Sequence, residues 1–540
     1  MSETKIIVTH LGALAAKYGA AAPRVMKAVD ALIAADAKRG IASRLVGLDS
    51  ARDMAAFRAR PMGGPDDRKG AKRTVDAIDE GCAPHYILIL GGPDVVPLQL
   101  LENPTGALKT SADGGDWDPN VPSDLPYACD APFSDEPADF QGPCRVVGRL
   151  PDVPGAKSPV LLVKLLRLAA AAKPLPRSAY DDWLALSTQS WEVSTRKSVK
   201  KLFGSASKLL TAPPHADRWS ARALAPRAHF INCHGAVKDI AFYGEDKKDH
   251  DEQPVAIRGP GLAGKVRPGT VVSAECCYGA QVFDPDGPGT AHPGRLCMAL
   301  QYLRQGACGV FGATTIAYGP ERDNDFADVI CRIFLERVLA GASLGRAALE
   351  ARLAYLKSGT SHNPVRLKTI AQFYLLGDPS IHPVAIAGPY VSRKGVRVPV
   401  YDGEAAAKDR KRRRARLRRQ GLALQNARTV LKRYEGAVPP RLQDELFALA
   451  QGFGMKAKFI RAFDLVAAMS ASAAGDDTPG TSWKAAHALM LIDAAEEVVG
   501  PPRDTDEPAK AGRGKVPRIR ILLAQERASK IVRYKLIVSR

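Results

Sequence analysis

Two adjacent thiols close an apolar run in TVVSAECCYGAQ (residues 270–281), and an imidazole closes another in AHFINCHGA (228–236). Cys276, Cys277 and His234 are residue types that can jointly attack a carbonyl. A thiol becomes a strong nucleophile once a base takes its proton, and the imidazolium can then protonate a leaving amine. Gly235 follows the histidine and Gly279 follows the cysteines, so the backbone can turn at each strand end and leave room for a substrate. The backbone N–H groups of Gly235 and Cys277 are the candidate oxyanion donors, worth about 3 kcal/mol each when well placed.

Other chemistries fit the same residues less well. Cys233, His234, Cys276 and Cys277 offer four zinc ligands, but as adjacent pairs without the usual spacing of ligands. Vicinal cysteines form only strained bridges, which argues against a redox pair. A strand-end cysteine can also be plain core, since cysteine is among the most buried residue types. Asp284 and Asp286 read as exposed acids of a Pro/Gly turn, and His250 and His292 as surface residues in loops. Gly91 and Gly92 stand in no phosphate-loop pattern.

The elements that must hold these residues are short apolar strands alternating with helices. DDWLALST, AHFINCHG, GTVVSAECC and GACGVFGATT are strand-like, with helical stretches such as NDFADVICRIFLERVLAG between them. The same alternation runs through the first 170 residues, in KIIVTH, ASRLVGL and HYILILGG. It predicts parallel sheets covered by helices, with sites at the carboxyl ends of strands. The Pro-, Asp- and Gly-rich stretch 103–143 reads as a long surface excursion. Three units follow: 1–175, 176–388 carrying the His and Cys, and 389–540, expected to be mostly helical and basic with a terminal hairpin in IRILLAQERASKIVRYKLIVSR.

The 540 residues carry a formal charge of +20, of which KDRKRRRARLRR (408–419) supplies +8. Such a run can bind phosphate backbones or anionic partners, or be a solvated helix. Nine cysteines, an odd number, do not suggest a disulfide framework and fit a reducing cytoplasm. No run of about 18 apolar residues is present to span a membrane, and the start does not read as a signal peptide.

His then Cys, 43 residues apart, is the order of the caspase signature, and NCHGA and SAECCYGA resemble the two motifs of caspase-like cysteine peptidases. Glu-Cys-Cys is similar to the Asp-Cys-Cys of some metacaspases, although Tyr-Gly-Ala replaces the His-Ser-Gly that follows there. YILILGGPDVVP, SDLPYACDAPF, VVGRLPDV and FYLLGDPSIHP resemble ordered landmarks of the gingipain-type peptidases (family C25-like). The resemblance covers about residues 80–385. It implies a caspase-like α/β three-layer sandwich with two subdomains side by side, and a cysteine endopeptidase working through a thioester. His234 would be the general acid/base and Cys277 the nucleophile, with Cys276 as the alternative if Cys-x-x-Gly sets the alignment. The end of GVFGATTIAYG would wall the pocket for the residue before the scissile bond, whose identity is not legible. No cofactor is implied; a calcium requirement stays open, without any Ca²⁺-loop pattern. The alternatives are a catalytically silent scaffold and a nucleic-acid- or anion-binding protein working through 408–419.

Overall fold

The apolar runs around the candidate site are buried on both faces, the signature of strands covered by helices above and below. A computed structural model of the chain describes residues 3–106, 116–250, 253–358 and 363–385. Beyond these it describes 390–391, 397–398, 408, 412, 429–434, 436–457, 459–467, 487–498, 515–527 and 530–540. Ten strands form one sheet, in the order Ile41–Gly47, Glu3–Thr9, Tyr86–Leu90, Val147–Leu150, Phe373–Gly377, Gly309–Ala313, Val271–Ala274, Ala228–Asn232, Trp183–Thr188, Leu209–Ala212. Neighbours are parallel throughout, except that Phe373–Gly377 runs antiparallel to Gly309–Ala313. The chain is thus mixed α/β with a large, mostly parallel sheet, consistent with a caspase-like fold.

Parallel neighbours need crossovers, and the helices supply them. Ala22–Lys38 begins with proline in its first turn and turns Val25, Val29 and Leu32 inward, the spacing of one helix face. Glu192–Phe203 stops at Gly204, whose φ of 74° is the left-handed conformation that ends a helix cheaply only in glycine. Strands from the first 150 residues and from the later part of the chain meet where Val147–Leu150 pairs with Phe373–Gly377. A buried ion cluster ties this region together: Lys5 Nζ lies 2.5 Å from Asp36 Oδ2 and 2.7 Å from Asp378 Oδ2, and donates to Ser380 Oγ at 3.1 Å.

The C-terminal region departs from the expectation of a mostly helical unit. Its described residues build an antiparallel sheet of Thr429–Arg433, Ile460–Ala467, His487–Val498, Lys515–Arg527 and Lys530–Ser539, with Pro440–Gly452 as its long helix. The last two strands pair antiparallel, Arg520 opposite Val538. Met490 and Ile492 share one cluster with Ile519, Ile521 and Leu523, whereas Leu489, Leu491 and Leu522 share another with Leu442 and Leu446 of the helix. Apolar side chains on both faces of each strand explain why ILLA shows no alternation. Of the basic run 408–419, Lys408 and Arg412 are described and exposed; the rest lies outside the described residues.

The 103–143 stretch is also not a mere surface excursion. Asp116 and the segment Ser123–Cys129 are buried, and Asp116 and Asp118 reach across to the candidate site.

Candidate active site

The strand Val271–Ala274 ends just before the acid and the two thiols. Tyr278, the next residue, has φ 54°, a left-handed conformation strained for a side chain of this size, so the chain turns sharply beside Cys277. The two cysteines diverge. Cys276 joins the main core, its Sγ 3.8 Å from Ile231 O. Cys277 joins a second apolar cluster facing the C-terminal sheet, and its Sγ accepts the Ala317 N–H at 3.3 Å. Both are fully buried; burial pushes the Cys277 thiol up to about 12 and the Cys276 thiol well above its ordinary value.

His234 and Gly235 form a two-residue strand paired with Ala241–Tyr243. A Cβ on Gly235 would overlap the carbonyl of Cys277, so glycine here lets the histidine-bearing and cysteine-bearing backbones touch. His234 packs edge-on against Trp191, with ring centroids 4.4 Å apart. Its Nε2 lies 3.4 Å from Glu245 Oε2, an ion-pair distance, and its Nδ1 is buried without a hydrogen-bond partner among the described residues. His250 is not the unpartnered surface residue expected from its loop context: its Nδ1 lies 3.0 Å from Glu245 Oε1. Burial opposes charge on Glu245, but the two imidazoles outweigh it and hold the carboxyl well below the usual range. His292 Nε2 lies 3.7 Å from Asp239 Oδ1, also a partner its sequence context did not suggest. Asp284 caps its own turn by accepting the Asp286 N–H at 3.0 Å.

The cleft beside these residues holds a piece of the chain itself. Tyr318–Gly319 pairs antiparallel with the end of Lys530–Ser539, Tyr318 opposite Ser539 and Gly319 opposite Val538. Arg540, the last residue of the sequence, donates its N–H to Ala317 O at 2.9 Å, and an oxygen of its α-carboxylate accepts the Cys277 N–H at 2.9 Å. The guanidinium enters a closed pocket. Nη2 donates to Pro320 O at 2.9 Å and to the Asp328 carboxylate at 3.2 and 3.3 Å; Nε lies 3.5 Å from Glu275 Oε1; and Cζ stands 4.4 Å from the centroid of the Trp191 ring. A side chain at Gly319 would overlap that guanidinium.

Arg540, Glu275 and Asp328 are all fully buried. Two carboxyls face one cation: burial, and then repulsion by Asp328, push Glu275 well above the ordinary range, burial lifts Asp328, and Arg540 works the other way on both. The cleft wall is braced from the first part of the chain. Asp118 accepts the Ile316 N–H and the Tyr278 hydroxyl, both at 2.8 Å, Asp116 accepts the Tyr318 hydroxyl at 2.9 Å, and Lys368 pairs with both acids.

Sequence reasoning did not find Trp191, Glu245, Asp328 or Arg540. Glu275 was visible as the acid before the thiols. The other four come from distant segments, and only the folded chain joins them. No group of His, Cys, Asp and Glu among the described residues is arranged to hold a metal ion, and no described helix is long and apolar enough to cross a membrane. No curated protein matches the chain. Residues 259–384, which include Glu275, Cys277, Gly319 and Asp328, match the family model of Peptidase family C25, so the gingipain-type cysteine-peptidase resemblance holds over that segment.

Proposed function

We propose that the protein is a cysteine endopeptidase that cuts after arginine, with Cys277 as nucleophile and His234 as general acid/base. The carrying observation is the seating of Arg540. A peptide strand lies antiparallel along Ala317–Gly319, its arginine sits between two buried acids and an indole, and an oxygen of the arginine's α-carboxylate accepts the Cys277 N–H where a substrate's carbonyl would. A substrate arranged in this way presents its scissile carbonyl to the thiol and its oxygen to that same N–H.

The chemistry follows from the groups present. His234 takes the Cys277 proton and the thiolate attacks the carbonyl carbon, while the oxygen's growing negative charge is met by the Cys277 N–H. His234 then protonates the leaving amine, which releases the C-terminal fragment and leaves a thioester. Water, deprotonated by His234, hydrolyses it. Glu245, against Nε2, orients the ring and favours the tautomer whose Nδ1 is free to accept the thiol proton.

The test is cleavage of a peptide library read by mass spectrometry. Wild type and Arg540→Ala are each compared with added Cys277→Ala, Cys276→Ala or His234→Ala. Cuts after arginine that survive only Cys276→Ala are expected. Cleavage that survives Cys277→Ala would overturn the nucleophile, and cuts without arginine preference would overturn the pocket. A folded Arg540→Ala protein that cuts nothing would leave the silent-scaffold reading.

A further inference from the structure

We infer that the chain's own C-terminal strand is the resident occupant of the peptidase cleft, and that the protein is latent until this strand withdraws. The inference rests on the peptidase reading above, but the occupied cleft can be tested apart from catalysis.

The strand fills each position a substrate needs. Its backbone takes the pairing edge at Ala317–Gly319, its α-carboxylate takes the Cys277 N–H, and its guanidinium takes the acidic pocket. With it in place Cys277 and Glu275 have no exposed surface and His234 has 3 %, so a second peptide has no path to the thiol.

The fit extends beyond one arginine. Ile519, Ile521 and Ile537 pack in one cluster with Cys277, Ile316 and Phe326, an apolar seat continuous with the reactive residue. Lys535 Nζ is 2.8 Å from Asp325 Oδ2, and the Ser539 hydroxyl accepts the Ile519 N–H at 2.9 Å, tying the end of the strand to its own sheet. The sheet therefore presents Val538–Arg540 as a fixed, extended segment, the conformation a sheet edge accepts by strand addition. A peptide held in this form loses little further entropy on binding, which favours it over free substrate. The dry seat also keeps the thiol in its protonated, unreactive form, in line with its raised value.

Iodoacetamide labelling of Cys277, read by peptide mapping of the full 540-residue chain, tests this without needing catalysis. Wild type should label slowly and at a rate independent of dilution, as for an occupant within the same chain. Arg540→Ala and Arg540→Gln, the second closer in shape, should label roughly tenfold faster or more, the loss expected for a charge-assisted contact. Adding the free peptide KLIVSR should slow labelling of both variants again. Equal labelling of folded wild type and Arg540→Gln, with no protection by the peptide, would overturn the inference. Fast labelling with protection by the peptide but no cleavage of any substrate would instead sink the peptidase reading and leave the occupied cleft standing.

Discussion

Neutralising the pocket acids one at a time separates charge from geometry. In the Arg540→Ala background, in which the proposal leaves the cleft free, Asp328→Asn removes one of the two carboxyls that would face a substrate guanidinium. Burial still raises Glu275, but the repulsion by Asp328 that adds to it disappears. What is lost is one charge-assisted contact to Nη2, now made at 3.2 and 3.3 Å, and about 1.5–3 kcal/mol follows, a fall of roughly 10- to 150-fold in kcat/KM for arginine substrates. Adding Glu275→Gln leaves the substrate guanidinium buried and unpaired, which costs about 3–5 kcal/mol, or roughly 150- to 5,000-fold. The acid dependence has a fixed sign. Carboxyls raised above their ordinary range take up protons at higher pH than solvated ones, so KM for arginine substrates should climb as pH falls toward about 4, before free acids titrate. The assay is initial-rate cleavage of matched peptides with arginine, lysine or glutamine before the scissile bond. Arginine preference that survives the double neutralisation would refute the pocket assignment.

Glu245→Gln should lower kcat by about 10²–10⁴ with KM little changed. An amide N–H facing Nε2 favours the tautomer whose Nδ1 already carries a proton, and Glu245→Asp should recover part of the rate; a KM effect alone would contradict the positioning role. At the meeting of the sheet's two parts, Lys5→Met takes the cation from the buried Asp378 carboxylate and leaves Asp36 with Arg39 alone, and a loss of about 3–5 kcal/mol is expected in urea unfolding. Lys5 offsets the burial of Asp378 and holds its carboxyl below the usual range. The wild-type contribution is therefore present above about pH 4 and fades as pH falls through the lowered value. The gap between Lys5→Met and wild type should shrink in acid, and a gap unchanged with pH would refute the linkage.

The parts of the structure legible in the sequence are those set by local pattern. YILIL and VVSA are short apolar runs bounded by turn residues, and their two-faced burial in a parallel sheet follows from composition. His234 and Cys277 were visible because each ends such a run beside a glycine, and strands of one sheet bring their ends together. The described C-terminal residues depart from the expected helix because charge dominates the composition there. The arginine-rich run looks helical in isolation, whereas Lys515–Arg527 and Lys530–Ser539 are strands. The pocket was illegible for another reason. Asp328 sits in the first turn of the helix Ala327–Leu339, Trp191 just before the helix Glu192–Phe203, and Arg540 at the end of the sequence. Nothing local distinguishes them from a capping acid, a core indole and a terminal base.

The pocket's charge balance also bears on how the cleft would open. Two buried carboxyls with no guanidinium between them cannot both ionise in a dry site, so withdrawal of Arg540 must be accompanied by entry of water, uptake of a proton, or arrival of another cation. A substrate arginine satisfies this demand by the same contacts Arg540 makes, whereas an apolar side chain does not. The proposed selectivity for arginine and the retention of the C-terminal strand then rest on one electrostatic demand. A change that weakens the pocket, such as Gly319→Ala closing on the guanidinium, should loosen the strand and lower cleavage of arginine substrates together, rather than trade latency for activity. Productive opening has to come from the sheet, through contacts such as Lys535 with Asp325 that hold the strand without lining the pocket.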